Sequence, residues 1–307
     1  MNRILITEPE YFDDKSRDIL KQCGSLTCKR MNREQLKKNI GKFDAILVRI
    51  ETKLDADMLS LAPRLRIIGT ATVGLNHIDL DYAKHHGISV VSLESTNTIP
   101  ASEYTFALIM GLSRNIPAAH ESTKRGKWSR HGFIGTQLRG KTLGIVGLGK
   151  VGKEVASFAK AFGMNVIAYD PYIRSDIVRM VSLDELLKDS DVITIHTVLN
   201  SETRNMINID KLNMMKPNAL LINTARSGIV NTVDLTNALS HGVIRGAAFD
   251  VFESEPSDSK DPLVSYARKH DNLIVTPHIG ASTREAVDES AVEIAMKVSS
   301  MLSKSDK

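Results

Sequence analysis

The stretch KTLGIVGLGKVGKEVASFAKAFGMNVIAYD, residues 141–170, reads as a strand, a glycine turn, a helix and a second strand that ends in an acid. The apolar run 143–146 forms the first strand, and Gly147, Gly149 and Gly152 follow it at G-x-G-x-x-G spacing. They open a helix whose apolar side is Val155, Ala156, Phe158, Ala159 and Phe162, and Gly163 ends that helix. Gly147 permits the tight turn, Gly149 lets a pyrophosphate approach the backbone, and Gly152 lets helix and strand pack closely. The N–H groups at the start of the helix then face the phosphates. The second strand, 165–169, delivers Asp170. This acid follows Gly152 by 18 residues, close to the roughly 20 expected of the acid that hydrogen-bonds a ribose 2′-hydroxyl. A 2′-phosphate there would meet like charge, so NAD is expected over NADP. Arg174 reads as a solvated loop charge.

The size and composition of the chain fit a two-domain enzyme better than a binding module for polyanions. Its 307 residues exceed the usual single-core size and predict two domains. With 42% hydrophobic and 25% charged residues, the composition is that of a soluble globular protein. The N-terminus MNRILITEPE lacks a long apolar segment, and no run approaches the roughly 18 apolar residues that span a bilayer, so a cytoplasmic protein is expected. Cys23 and Cys28 are the only cysteines; they provide neither a disulfide framework nor a four-ligand metal site, and no metal is expected. They read as ordinary buried or half-buried thiols. The net charge of +4 is scattered through helical segments and loops, which argues against nucleic acid and suits a small anionic substrate.

Strand and helix patterns alternate on both sides of the glycine turn. Before it, strands are expected at 4–6, 26–28, 45–49, 67–70 and 89–91, with helices near 15–22, 34–39, 56–61 and 80–86. After it, strands are expected at 192–196, 219–223, 246–250 and 273–276, with helices near 183–188, 209–214 and 233–240. Such alternation predicts parallel sheets covered on both faces. Between the two series lie an apolar helix, 101–112, and a polar arm, 122–139, that carries Trp128. An amphipathic helix near 284–302 follows the last strand and is expected to return to the N-terminal domain. The expected domains are therefore 1–98 with 284–307, for substrate, and 99–283, for the dinucleotide.

Ligands of open parallel sheets bind beyond the carboxyl ends of the strands. Three places qualify: Thr224-Ala225-Arg226-Ser227-Gly228 after LLIN, Val251-Phe252-Glu253-Ser254-Glu255-Pro256 after GAAFD, and Pro277-His278-Ile279-Gly280 after LIVT. One arginine, one or both glutamates and one histidine would thus face the nicotinamide end of the cofactor. Hydride transfer to a ketone leaves an alkoxide that needs a proton, and histidine is the side chain suited to deliver it near neutral pH. A carboxylate beside the ring orients it and favours its protonated form. Arginine holds a carboxylate with two parallel hydrogen bonds and polarises the neighbouring carbonyl. Together these groups describe reduction of a 2-keto acid. His196, at the end of VITIH with no carboxylate suggested beside it, reads as structural or as an edge of the cofactor site.

The segments GLGKVG, NTARSGIV, AAFDVFESEP and TPHIGAST resemble those of the D-isomer-specific 2-hydroxyacid dehydrogenases, and the likeness covers nearly the whole chain. The resemblance implies an α/β fold, with a Rossmann-type NAD-binding domain, a smaller flavodoxin-like α/β substrate domain and a cleft between them. It assigns Arg226 to substrate binding, Glu255 rather than Glu253 to the partner of the histidine, and His278 to acid/base catalysis. It further implies NAD contacts from Lys150, Val151, Thr197, Thr224, Ala225, Arg226, Asp250, His278, Gly280 and Ala281, beside Gly147, Gly149, Gly152 and Asp170. Thr72, Val73 and Gly74 fall in its substrate loop, with Asn97 at the cleft.

Within the family the likeness is nearest to the branch that interconverts 3-phosphoglycerate and 3-phosphohydroxypyruvate, through AILVRIETK, RGKWSRHGFIGTQLRGKTLGIVGLG and NTARSGIV. Arg49 matches an arginine used there at the substrate cleft; its other reading is a core-edge arginine. Thr70 stands where that branch often has arginine, Thr197 where proline is usual, Ser227 for a glycine and Tyr104 for a frequent histidine. Glyoxylate, hydroxypyruvate or another small keto acid is the alternative substrate. An NAD(H)-gated binding protein of the corepressor type is the alternative of another class. The resemblance also implies a homodimer, for which the helix 101–112 and the Trp128 arm are the candidate surfaces. The sequence ends after its final helix, so no C-terminal regulatory domain, and no serine feedback through one, is expected.

Overall fold

Nearly every strand of this chain is apolar on both faces, which only a sheet covered by helices on two sides can accommodate. The computed structural model describes residues 1–305, with side chains to residue 303. It divides into two compact units, Met1–Asn97 together with the segment from Ser282 on, and Thr98–Ala281.

The first unit holds five strands, β1 (Asn2–Ile6), β2 (Gly24–Cys28), β3 (Ala45–Val48), β4 (Ile67–Thr70) and β5 (Ser89–Val91). All pair in parallel, in the order β2-β1-β3-β4-β5, which is the flavodoxin-like order. Alternation along β1 sends Ile4 and Ile6 to one face, while Leu5 joins Ile46, Val48 and Ile68 on the other. The first face is covered by the helix Arg284–Ser305 through Ala291, Ile294, Ala295, Val298 and Leu302. A side chain at Gly69 in β4 would place its Cβ 2.6 Å from Val298 Cγ2, so glycine sets how closely this helix approaches the sheet. Each fully buried Ile, Val or Leu of the helix stabilises the unit by about 1.5–3 kcal/mol.

In the second unit, seven strands follow: β6 (Thr142–Val146), β7 (Asn165–Tyr169), β8 (Arg179–Met180), β9 (Val192–Ile195), β10 (Leu220–Asn223), β11 (Gly246–Phe249) and β12 (Leu273–Val275). Their order is β12-β11-β10-β9-β6-β7-β8, again all parallel. The chain steps outward from β6 in one direction to β8, then returns to the other side of β6 with β9. This reversal is the switch point at which Rossmann-type sheets bind dinucleotides. The fold is therefore α/β, with a Rossmann-type sheet in this unit.

Several local expectations need correction. The helix expected at 101–112 runs Thr98–Ser113, and within it the hydroxyls of Ser102 and Thr105 bond back to the carbonyls of Thr98 and Ala101, so that these buried polar groups are satisfied. Within the region between that helix and the arm a further helix forms, Ile116–Lys124, entered through Asn115 at a left-handed φ of 54° with Pro117 in its first turn. The two-residue strand β8 and the helix Pro262–Ala267 are also absent from the pattern reading. Phe162 lies just past the helix Lys150–Ala161 and is 46% exposed, touching Phe106 rather than lining the helix core. Cys28 is exposed at the end of the edge strand β2, whereas Cys23 is half-buried. Trp128 is 81% exposed. Among the described residues no helix is long and apolar enough to cross a membrane, and no cluster of metal-binding side chains forms.

Candidate active site

The three glycines of the turn in the second unit differ in what a side chain would meet. Gly147 has φ +94°, and a Cβ there would lie 2.7 Å from the carbonyl carbon of His196 and 2.8 Å from the backbone nitrogen of Thr197. A Cβ at Gly152 would fall 2.3 Å from the Gly147 carbonyl oxygen, so the helix can rest on the turn only without a side chain. At Gly149, which caps the helix Lys150–Ala161, a Cβ would meet nothing within 4 Å. Two of the glycines therefore serve the protein's own packing, and Gly149 fronts open space at a helix N-terminus, as a pyrophosphate requires.

Asp170 follows β7 directly. Its carboxylate accepts from the Leu148 N–H at 2.8 Å and, through the other oxygen, from the Tyr172 and Ile173 N–H groups at 2.9 and 3.0 Å. Three of its roughly four lone-pair sites are thus occupied by backbone, which fixes the acid beside the turn and leaves capacity for one ribose hydroxyl. Lys150 and Val151 form the first turn of the helix, and Thr197 follows β9 against Gly147. His196 Nε2 bonds Thr194 Oγ1 at 2.9 Å, and desolvation pushes its pKa down to about 3 although the residue keeps some accessible surface. It stays neutral near pH 7, so it is not poised as an imidazolium acid.

The other three strand ends carry the reactive groups. After β10, the buried Asn223 side chain accepts from the Ala225 N–H at 3.0 Å and donates to the Arg226 carbonyl at 2.9 Å, bending the chain so that Thr224, Ala225 and Arg226 follow in one tight turn. Thr224 is held through its hydroxyl by Thr105 at 2.8 Å. The half-buried Arg226 guanidinium donates to the Ala225 carbonyl at 2.6 Å; burial lowers its pKa and the charge of Glu255 opposes that shift. It remains a cation.

After β11, Glu255 reaches back with Oε1 to the Phe252 N–H at 3.0 Å and with Oε2 to His278 Nδ1 at 2.6 Å. Burial would raise its pKa, but the bond and charge of His278, the Phe252 N–H and the Arg226 charge together hold it below the usual glutamate range. The carboxylate thus stays ionised throughout the range above that value, and the stability it contributes is lost as the pH falls through it. Glu253, which spacing left equal to Glu255, instead bonds Arg204 at 3.1 Å with both side chains more than half exposed, a surface pair worth about 0–1 kcal/mol. The geometry separates the two glutamates.

His278 follows β12 at φ +54°, a left-handed backbone conformation uncommon for any residue other than glycine. What holds it there is Asp250, 1% exposed, at the end of β11. Its Oδ1 accepts from the Thr276 hydroxyl at 2.6 Å and the Ile279 N–H at 3.0 Å, and its Oδ2 from the Gly280 N–H at 2.7 Å. Burial raises the Asp250 pKa against these bonds. Since the Glu255 carboxylate only accepts, Nδ1 of His278 carries a hydrogen, and Nε2 is the nitrogen left to exchange a proton. The ring keeps 26% of its side-chain surface, enough for a small molecule to reach it.

Residues 106–280 match the NAD-binding domain of the D-isomer specific 2-hydroxyacid dehydrogenases, and the chain belongs to that family. Its particular likenesses are as follows. It is 42% identical over 291 residues to a D-3-phosphoglycerate dehydrogenase of Archaeoglobus fulgidus, covering 92% of this chain and 54% of the relative. The chain spans about half the length of the curated relatives it matches. The D-lactate dehydrogenase of Aquifex aeolicus, solved with NAD and lactic acid, superposes with a TM-score of 0.88 at 33% identity, covering 99% of this chain and 96% of that one. A glyoxylate reductase from Paecilomyes thermophila gives 0.88 at 27% identity, covering 99% and 96%.

The remaining predicted residues lie in the first unit, at the carboxyl ends of its strands. Arg49 follows β3; its guanidinium stacks 4.5 Å from the Tyr11 ring centre, burial lowers its pKa, and Nη1 is buried without a hydrogen-bond partner. Thr72, Val73 and Gly74 follow β4, and Asn97 is the last residue of the unit's first segment. Sequence reading passed over Glu8, which is 2% exposed and directs Oε1 at the Arg49 N–H, the Thr52 N–H and the Thr52 hydroxyl at 3.1, 3.1 and 2.7 Å. It clamps the turn that carries Arg49. Its position just beyond β1 is the one signal that would have exposed it.

An Asp170→Ala protein is expected to lose about tenfold in affinity for NADH, one ribose bond and a loosened turn together, and to discriminate less against NADPH. Comparing kcat/KM for the two cofactors checks it; an unchanged ratio would remove Asp170 from the selection.

Proposed function

We propose that the chain is an NAD-dependent dehydrogenase interconverting a D-2-hydroxy acid and its 2-keto acid, with 3-phosphohydroxypyruvate as the keto substrate. The observation that carries this reading is the 2.6 Å bond between His278 Nδ1 and Glu255 Oε2 beside Arg226. In the reductive direction Arg226 receives the substrate carboxylate and polarises the adjacent ketone. NADH, held by Gly147, Gly149, Lys150, Val151, Gly152 and Asp170 with Thr197, Thr224 to Arg226, Asp250 and His278 to Ala281, supplies the hydride that goes to the carbonyl carbon. His278 Nε2–H gives its proton to the carbonyl oxygen as negative charge develops there, and Glu255 stabilises and orients the imidazolium beforehand. In oxidation the same nitrogen takes the hydroxyl proton. Thr72, Val73, Gly74 and Asn97 contact the substrate.

NADH consumption by purified protein with a panel of 2-keto acids tests the substrate. Strong preference for 3-phosphohydroxypyruvate is expected, and Arg49→Ala is expected to cut kcat/KM for it by about 10²-fold while costing an unphosphorylated acid far less. Equal losses on both classes would show that Arg49 does not read the phosphate. A small unphosphorylated keto acid is the second reading, favoured by Thr70, bonded to the Thr72 hydroxyl and the His77 ring, standing where a further cation would serve a phosphate.

The working form we propose is a homodimer. Trp128 at 81% exposure and Ile134 at 79% offer apolar surface that a second copy would cover. Light scattering behind a sizing column is expected to give twice the 33.8 kDa chain mass; a monomer at micromolar concentration would refute the dimer.

A further inference from the structure

Three side chains at the end of β4 form a hydrogen-bonded row whose direction follows from counting hydrogens. Thr72 Oγ1 donates to the Gly74 carbonyl at 2.8 Å, and a carbonyl oxygen can only accept. A hydroxyl has one hydrogen, so the 2.8 Å bond between Thr70 and Thr72 must be donated by Thr70. The Thr70 hydrogen is then used, and its 2.9 Å bond to His77 must be donated by the imidazole Nε2–H. The row therefore runs one way, from His77 through Thr70 and Thr72 to the Gly74 carbonyl, and each bond polarises the next. Thr70 is fully buried and His77 is 9% exposed, so an interrupted row would leave polar groups away from water.

The surrounding backbone shows what the row does. Ala71 donates to the Val48 carbonyl at 3.0 Å, and the Thr72 carbonyl accepts from Leu93 at 3.1 Å. At the far end the His77 carbonyl accepts from Leu54 at 2.8 Å and Asp79 donates to the Leu54 carbonyl at 2.9 Å. Both ends of the loop are thus fastened to neighbouring segments, and the side-chain row fastens its middle at Gly74. By the planarity of the peptide, fixing the Gly74 carbonyl toward β4 aims the Leu75 N–H the opposite way.

We propose that Thr70, Thr72 and His77 are positioning residues that set the shape of the loop at Thr72, Val73 and Gly74 for substrate, by a hydroxyl relay that the His77 Nε2–H begins. The proposal rests on the reading of that loop as a substrate contact. Thr70→Val keeps the side-chain shape and breaks the row at its centre. With the intact protein, its KM for the preferred keto acid is expected to rise about tenfold or more, as misplaced binding groups require, while NADH affinity and kcat stay within about twofold. Thr70→Ser, which keeps the hydroxyl, restores most of the KM.

Val73→Asp separates the relay from the reading beneath it, because Val73 is 46% exposed and its replacement leaves the row intact. A raised KM in Val73→Asp with an unchanged KM in a folded Thr70→Val overturns the relay. An unchanged KM in both overturns the substrate-loop reading and the proposal with it. Nitrogen-15 spectra of His77 read the relay without substrate: a protonated Nε2 in the parent, lost as the preferred form in Thr70→Val, is expected, and an unprotonated Nε2 in the parent overturns it.

Discussion

The His278→Ala protein is expected to turn over its keto acid roughly 10²–10⁴-fold more slowly than the parent, the range that a positioned general acid contributes. NADH affinity is expected to change by no more than about threefold, since the phosphate and ribose contacts lie at the glycine turn and Asp170. The two readouts together identify the defect as chemical. His278 is held by the Asp250 bonds to Ile279 and Gly280 and by the Glu255 bond to its own ring, and alanine at 278 leaves both sets of carboxylate ligands otherwise in place. Turnover by His278→Ala within a factor of ten of the parent would exclude this histidine as the proton donor. Glu255→Gln is the companion variant: it keeps the side-chain shape but removes the charge and one acceptor-only oxygen beside Nδ1, so its turnover is expected to fall while its NADH affinity stays within a few-fold of the parent.

Arg226→Ala is expected to lower kcat by roughly 10²–10³-fold, the cost of removing one preorganised donor aimed at developing negative charge, and to raise KM as well because the same fork holds the carboxylate. Arg226→Lys is expected to recover little. A lysine offers a point charge without the planar pair of donors, and the turn that carries it is held by Asn223. Single-turnover measurements at saturating substrate separate the two effects; a variant that loses KM alone would mean Arg226 binds the carboxylate without touching the reacting carbonyl.

How much of this was legible in the sequence depends on how local each feature is. The glycine turn, the helix it opens and Asp170 lie within one continuous stretch, and the periodicity reads them directly. The strand-end rule placed Arg226, His278 and a glutamate together because the sheet is parallel throughout. It could not choose between Glu253 and Glu255, since the choice is made by Arg204, distant in sequence, which takes Glu253 to the surface. Asp250 was assigned to the cofactor by resemblance, while its grip on the left-handed turn at His278 depends on bonds across some thirty residues that no spacing encodes. Glu8 escaped for the same reason, its partners Arg49 and Thr52 lying more than forty residues away. The helix Ile116–Lys124 was missed because its polar surface gives no apolar stripe. Phe162 was misplaced because periodicity does not say where a helix stops.

The helix Arg284–Ser305 completes the core of the first unit, covering Ile4, Ile6, Ala45, Leu47 and Ile67. On the ribosome these residues are made more than two hundred residues before their cover. The second unit is one continuous segment, Thr98–Ala281, and has all its strands before the covering helix begins. At ordinary rates of synthesis the N-terminal sheet waits with an apolar face uncovered for a time on the order of ten seconds or more. The nascent chain is thus expected to mature in an order opposite to its numbering, with the nucleotide-binding unit finished first and the sheet of the first unit open to chaperones until the helix Arg284–Ser305 has been made.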